Sequence, residues 1–412
     1  MTQNAVPRIT SKITYEELSR TIKGERLPAV IVDLDAFDRN VFAVAAIARK
    51  RSQPPHIRVA TKSLRVPELI SRVLKSGAPY QGLMCYSADE AGFLASLGHD
   101  DLMIGYPTVQ DSDLAVLKDL HSKGKRITLV IDGVAAVSKL ADFMKGCSAP
   151  FPVIIEMDAS LKLLHGLLHI GVRRSPIMTP SDLLQLAREV LRHKELVLAG
   201  VMAYEAQVAG MGDQSPFRRF LNPLIKLIHE MSVTSVSHRR SQIPGVFNQL
   251  GLPLQIFNGG GTGSLNYSVK ETWLTELTAG SAFLCPHLFD YYSNVSFEPA
   301  CFFALQAVRV PSPHIITCQG GGYVASGQPG ADKLPLPYLP HGSHLLGTEG
   351  AGEVQTPVRL ASNVALGIGD PVFFRHAKAG ELAERFTEYL LVAGGKIVDR
   401  VKTYRGSGKG FF

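Results

Sequence analysis

The chain has 412 residues, is 45% hydrophobic and 19% charged, and carries a formal net charge of +7 at pH 7. That length exceeds what one hydrophobic core usually serves, so two domains are expected, and the composition excludes a disordered chain. The 43 Lys and Arg only mildly outnumber the 36 Asp and Glu and form no long run, which argues against nucleic-acid binding. Cys85, Cys147, Cys285, Cys301 and Cys318 are scattered with no CxxC pair, so neither a disulfide framework nor a structural zinc site is expected. The stretch from Met1 to Glu17 is polar, without the apolar centre of a signal peptide, and no run of about 18 apolar residues follows. A soluble, cytoplasmic protein is the expectation.

In chain order, residues 29–34 read as a first strand. Short apolar runs rich in β-branched residues then recur at 57–61, 83–86, 102–105, 127–131, 153–157, 197–203, 255–257 and 276–278. Helix signals lie between them. Residues 66–74 are apolar at helical spacing. Ser87 and Glu90 form a capping-box pair before a run that ends at Gly98, and Thr179-Pro180-Ser181-Asp182 is a similar start. Alternating strands and helices imply parallel strands with crossover helices, and eight such units imply a closed (β/α)8 barrel of TIM type. An open doubly wound sheet is the competing architecture.

From about residue 300 the pattern changes to short strands with Gly and Pro turns, at 302–310, 314–318, 354–359, 371–375, 389–392 and 396–403. This predicts a β-rich C-terminal domain, with 320–340 as a long functional or linking loop. The division expected is 1–40 as an N-terminal segment joining the β domain, 41–295 as the barrel, and 296–412 as the β-rich domain.

Active sites of such barrels sit at the C-terminal ends of the strands. Those ends carry Lys62, Tyr86, Tyr106, Asp132, Asp158, Tyr204, Asn258-Gly259 and Gly280-Ser281. The segment from Asn258 through Gly259, Gly260, Gly261, Thr262 and Gly263 to Ser264 lets backbone amides and hydroxyls converge on an anion. It lacks the spacing of a nucleotide P-loop, and a tight turn is the plain alternative. Thr278-Ala279-Gly280-Ser281 is a second small-residue turn, and late barrel loops are the usual phosphate site. Lys62 ends the first barrel strand behind apolar residues. Partial burial there would disfavour its charged form and suit Schiff-base chemistry, although a lysine after a strand is ordinarily a surface residue. His165, His169 and His376 fit no metal signature, and no GxSxG elbow supports a serine hydrolase.

These residues resemble the fold-type III pyridoxal-phosphate enzymes, the alanine racemase-like group, and within it the D-threonine aldolase and D-serine dehydratase branch, especially proteins described as amino acid deaminase/aldolase. The resemblance runs from about Ala29 to the C-terminus. Pro67-Glu68 stands where the branch has Pro-Glu beyond its Schiff-base lysine, which assigns that role to Lys62. His169-Ile170-Gly171-Val172 matches a segment ending in Gly-Val and puts His169 in the place of an arginine that reaches the cofactor's phenolic oxygen. Tyr204 matches a tyrosine near the cofactor ring. Gly260, Gly261 and Thr262, with Asn258 before them, match the phosphate turn, and Gly280 with Ser281 the second phosphate contact.

The C-terminus departs from the branch. Its metal-binding His-x-Asp or His-x-Cys pair is replaced by His376-Ala377-Lys378, and a protonated lysine cannot ligate a metal. One reading is that no divalent metal is kept and that Lys378 polarises the substrate hydroxyl. The other is that a metal remains on His376 with Glu349, Glu353 or Glu381. The resemblance implies a homodimeric lyase acting on small D-3-hydroxy amino acids, by retro-aldol cleavage or, alternatively, by dehydratase-type elimination. Lys62, His169, His376 and Lys378 are its candidate catalytic groups. A racemase and a non-catalytic pyridoxal-phosphate-binding protein are the further alternatives.

Overall fold

The computed structural model describes residues 12–163, 167–378 and 380–411, so His165 lies outside the described residues. Helix α1 (Tyr15–Thr21) opens the described chain and is closed at its start by a Thr14–Glu17 capping box. Strand β1 (Ala29–Asp33) follows. The Asp33 carboxylate then caps the amides of Asp35 and Ala36 and starts helix α2 (Leu34–Ala48). The division expected at residue 40 falls inside this unbroken helix.

The eight expected barrel strands are present. They are β2 (His56–Ala60), β3 (Tyr80–Cys85), β4 (Leu102–Ile104), β5 (Ile127–Ile131) and β6 (Phe151–Glu156). A small antiparallel hairpin of β7 (Leu161–Leu163) and β8 (Leu168–Ile170) interrupts the series. The barrel resumes with β9 (Leu196–Met202), β10 (Ile256–Gly259) and β11 (Glu276–Ala279). It closes in the order β10-β11-β2-β3-β4-β5-β6-β9 with every pair parallel, which excludes the open sheet.

The strand period of two sorts the apolar residues. Met103, Val130, Ile154, Ala199 and Met202 fill the barrel interior. Their neighbours Leu102, Ile104, Leu129, Ile131, Val153 and Ile155 face the outer helices in the main core. Those helices are α3 (Pro67–Lys75), α4 (Ala88–Ser96), α5 (Asp111–Ser122), α6 (Val134–Met144), α7 (Pro180–Leu191), a single turn α8 (Ala206–Ala209) and the long α9 (Asn222–Leu250). Both expected starts exist, but they differ. Thr179 and Asp182 form the full reciprocal box. Ser87 accepts from the Glu90 amide, whereas the Glu90 carboxylate turns inward to the Tyr86 amide at 2.7 Å and the Tyr404 hydroxyl at 2.8 Å.

The second sheet contains β12 (Cys301–Ser312), β13 (Ile315–Gln319), β14 (Leu336–Leu339), β15 (His344–Leu345), β16 (Gln355–Arg359), β17 (Pro371–Arg375), β18 (Glu388–Ala393) and β19 (Lys396–Lys402). Its path is β15-β16-β13-β12-β1-β18-β19, with β17 on β12 and β14 on β17. β1 is therefore a central strand, antiparallel to β12 and parallel to β18. Residues 320–340 are not one long loop, because β14 pairs there with β17.

Candidate active site

One pocket opens at the C-terminal ends of the barrel strands and gathers residues from six of them. Ala60, Lys62 and Ser63 come from the end of β2, and Met84 from β3. Gly105 and Tyr106 follow β4, Met202 and Tyr204 end β9, Asn258, Gly260, Gly261 and Thr262 end β10, and Thr278, Gly280 and Ser281 end β11. Arg174, Ala209 and Phe289 complete the lining. Of the residues expected at the eight strand ends, Tyr86, Asp132 and Asp158 do not line it, although β3 contributes Met84.

Lys62 differs from expectation in its exposure. Thr61 and Ser63 on either side are buried, but the Lys62 side chain is exposed in the pocket mouth. Its Nζ donates to the Tyr106 hydroxyl at 2.6 Å. The backbone behind Lys62 is fixed from the second domain, because Gly380 at φ +80 backs directly onto the Lys62 carbonyl.

Beside Lys62, on the neighbouring strands β11 and β10, stand the two small-residue turns. A Cβ on Gly261 would lie 2.9 Å from Tyr204 Cε2, and one on Gly280 would lie 2.7 Å from Ser63 Oγ, so side chains are excluded from the space between them. The Thr262 hydroxyl accepts from the Ala282 amide at 3.2 Å, which joins one turn to the other. Asn258 is turned to the floor, where its Nδ2 donates to Glu276 at 3.2 Å and to Thr278 at 3.1 Å.

The turn after β10 is held from behind by Glu205. That carboxylate accepts the Gly260 amide at 3.1 Å, the Ser264 hydroxyl at 2.6 Å and the Ser268 hydroxyl at 2.5 Å, and it is paired with buried Arg240. Burial alone would raise its pKa, but Arg240 and the two hydroxyls outweigh burial and hold it below the usual range. Arg240 also pairs with Glu271 at 2.7 Å.

Arg174 is the pocket residue that the sequence reading missed. It is ion-paired with buried Glu156 at the end of β6, and its guanidinium lies 5.3 Å from the Tyr106 ring centre and 5.5 Å from that of Tyr204. Burial keeps the Glu156 carboxyl above its ordinary pKa, with Arg174 opposing. His169 is instead paired with Lys162 on the β7–β8 hairpin and does not line the pocket. The chain makes that hairpin first and returns afterwards, so the basic group arrives five residues later than the motif suggested.

His376 and Lys378 do not line the pocket either. His376 is 2% exposed, and its ring nitrogens have no hydrogen-bond partner among the described residues. Burial, with Arg375 and His287 nearby, pushes its pKa down to about 3, so it is neutral. Lys378 Nζ is engaged by Ser326 at 3.0 Å and Glu381 at 3.2 Å. Among the described residues no group of three or more His, Cys, Asp or Glu is placed to hold a metal. The local donor set, a buried histidine beside an ammonium, does not fit a divalent cation.

The pocket does fit pyridoxal phosphate. It offers an accessible lysine amine, two side-chain-free turns bearing amides and hydroxyls for a phosphate, and a guanidinium and a tyrosine ring between them.

Residues 32–238 match the family described as alanine racemase, N-terminal domain. D-threonine aldolase of an Arthrobacter species is 24% identical over 300 residues, 71% of each chain. 3-Hydroxy-D-aspartate aldolase of Paracoccus denitrificans is 23% identical over 259 residues, 62% of this chain and 59% of the relative. Among solved structures, D-threonine aldolase from Filomicrobium marinum has a TM-score of 0.77 at 20% identity, covering 93% of this chain and 96% of that one. D-threo-3-hydroxyaspartate dehydratase from Delftia sp. HT23 has a TM-score of 0.73 at 17% identity, covering 93% and 98%. With half its length matched and the barrel and β domain in place, the chain belongs to the alanine racemase N-terminal domain family of fold-type III pyridoxal-phosphate proteins.

Proposed function

We propose that the protein is a pyridoxal-phosphate-dependent lyase that cleaves D-3-hydroxy amino acids between Cα and Cβ, as an aldolase. The observation that carries this reading is that Lys62 shares one pocket with the Gly260–Gly261 and Gly280–Ser281 turns. The bound cofactor supplies an electron sink for charge developed at Cα. Lys62 would hold it through its side-chain amine. The turns hold its phosphate. Arg174, steadied by Glu156 and lying by the Tyr106 and Tyr204 rings, would be the group that holds its ring. The aldolase names of the two sequence relatives favour C–C cleavage over elimination.

A panel of D- and L-3-hydroxy amino acids with separate assays for aldehyde, ammonia and 2-oxo acid tests the reaction. Aldehyde with glycine is the expected result, and ammonia with 2-oxo acid would instead make the protein a dehydratase. Borohydride reduction followed by peptide mass analysis is expected to fix the cofactor on Lys62. A Lys62→Ala protein that retains the borohydride-sensitive yellow band would overturn the assignment.

We infer activity without a divalent metal, on the misfit of the His376–Lys378 donor set. Full loss on chelation with recovery on adding a divalent ion would refute it. The homodimer reading is supported by α9. Leu224, Leu227 and Met231 form an exposed apolar stripe there, continued by exposed Phe220 just before the helix, opposite the buried Ile225, His229, Ser232 and Val236. A reducing, cytoplasmic setting is supported by the five free cysteines, and no helix among the described residues is long and apolar enough to cross a membrane.

A further inference from the structure

We propose that Tyr106 is the acid–base partner of Lys62, taking the proton that Nζ must lose before the amine can act and returning it when the amine is released. This rests on the reading of Lys62 as the lysine that carries the cofactor. A lysine amine is ordinarily protonated at neutral pH and is no nucleophile in that form. Some group in hydrogen-bond reach must therefore exchange its proton.

The geometry narrows the choice. Tyr106 Oη lies 2.6 Å from Lys62 Nζ, and the Tyr106 ring centre lies 5.3 Å from the same nitrogen. The groups facing Tyr106 are Lys62 from β2, Arg174 and its partner Glu156 from the β6 side, and Tyr204 from β9. Tyr204 makes no such bond, and burial with the adjacent Glu205 raises its pKa. Glu205 is committed to Arg240 and the hydroxyls behind the turn. The described histidines lie outside the pocket lining.

Electrostatics act in the same direction. Burial would raise the Tyr106 phenol, but the charge and hydrogen bond of Lys62, with Arg174 beyond, outweigh it and leave the phenol below its ordinary value. The step needs no further reactant. When Tyr106 is ionised, the proton passes from the Nζ ammonium to Oη along the existing hydrogen bond, leaving a neutral amine and a neutral phenol, and it runs back when Lys62 is released.

Wild-type holoenzyme and Tyr106→Phe holoenzyme are mixed with D-alanine, which can displace Lys62 but carries no β-hydroxyl to cleave. The visible absorbance change gives the displacement rate from about pH 6 to about pH 10. The Phe variant is expected to exchange about 100-fold more slowly and to lose the pH limb seen in wild type. Tyr106→His is expected to restore part of the rate, with the limb moved towards about pH 6.5. It also decides the matter if the Phe variant folds poorly, since a rate that stays lost in a folded His variant overturns the proposal. Equal rates and profiles for wild type and Phe, with the cofactor fixed on Lys62 in both, overturn the role of Tyr106 alone. A wild-type protein with no cofactor fixable on Lys62 overturns the functional reading and this proposal together.

Discussion

Gly380 and Lys62 meet across the boundary between the β sheet and the barrel: a Cβ on Gly380 would stand 1.8 Å from the Lys62 carbonyl oxygen. Gly380 also has φ +80, a region that side chains disfavour by about 1–2 kcal/mol. Gly380→Ala is therefore expected to push the backbone of Lys62 out of register and to lower kcat by about 100-fold, the scale of an ångström-sized misplacement. Gly408→Ala is the control, because Gly408 has φ +70 but nothing within 4 Å of its Cβ position. If the two variants lose stability alike and neither loses activity, Gly380 is a strained turn and nothing more.

Arg174 and His169 separate the motif reading from the structural one. Removing Arg174 leaves Glu156 buried and unpaired, a change that usually costs about 3–5 kcal/mol. Arg174→Ala is expected to lower the denaturation midpoint and to abolish turnover. His169→Ala, outside the pocket, is expected to retain near-normal kcat. Steady-state kinetics on both variants checks this, and a His169 variant as inactive as the Arg174 variant would restore the motif assignment.

That contrast marks what was legible in the sequence. The barrel strands were readable because alternation and turn residues are local properties. Lys62, Tyr204 and the two glycine turns were readable because each directly ends a strand, where position in the chain fixes position in space. Arg174 was not, since the β7–β8 hairpin intervenes and its path depends on tertiary packing. A signal did exist: Ser175 beside it bonds the Glu156 carbonyl at 2.6 Å and draws the chain back to the barrel. His376 and Lys378 were picked out by their spacing along the chain, which says nothing of where they lie in space: one is buried, the other pairs with Glu381, and neither lines the pocket.

Glu90 predicts a pH dependence of stability. Burial raises its carboxyl to about 7, against the hydrogen bonds from the Tyr86 amide and the Tyr404 hydroxyl. The folded chain thus keeps a proton that the unfolded chain gives up from about pH 4.5. Stability should fall as pH rises from about 4.5 to about 7 and then level off, by on the order of 3 kcal/mol for this group. Denaturant midpoints across pH should show this component in wild type and its absence in Glu90→Gln. Parallel curves for the two proteins would count against it.

The α9 stripe predicts the association state. Leu224→Glu with Leu227→Glu places like charges at the centre of an antiparallel helix pair and should halve the mass measured by sedimentation equilibrium. An unchanged mass, or a wild-type monomer, would remove this face from consideration.

The central position of β1 bears on how the chain is made. β1 leaves the ribosome early, yet its partners β12 and β18 are synthesised only after the whole barrel. Throughout that interval a strand with four buried positions of five has no ladder to join. Chains that stop short of β18, by premature termination or proteolysis, carry this strand with an unpaired edge, a template for association between nascent copies. The strands that retire this hazard are thus made long after the strand that creates it.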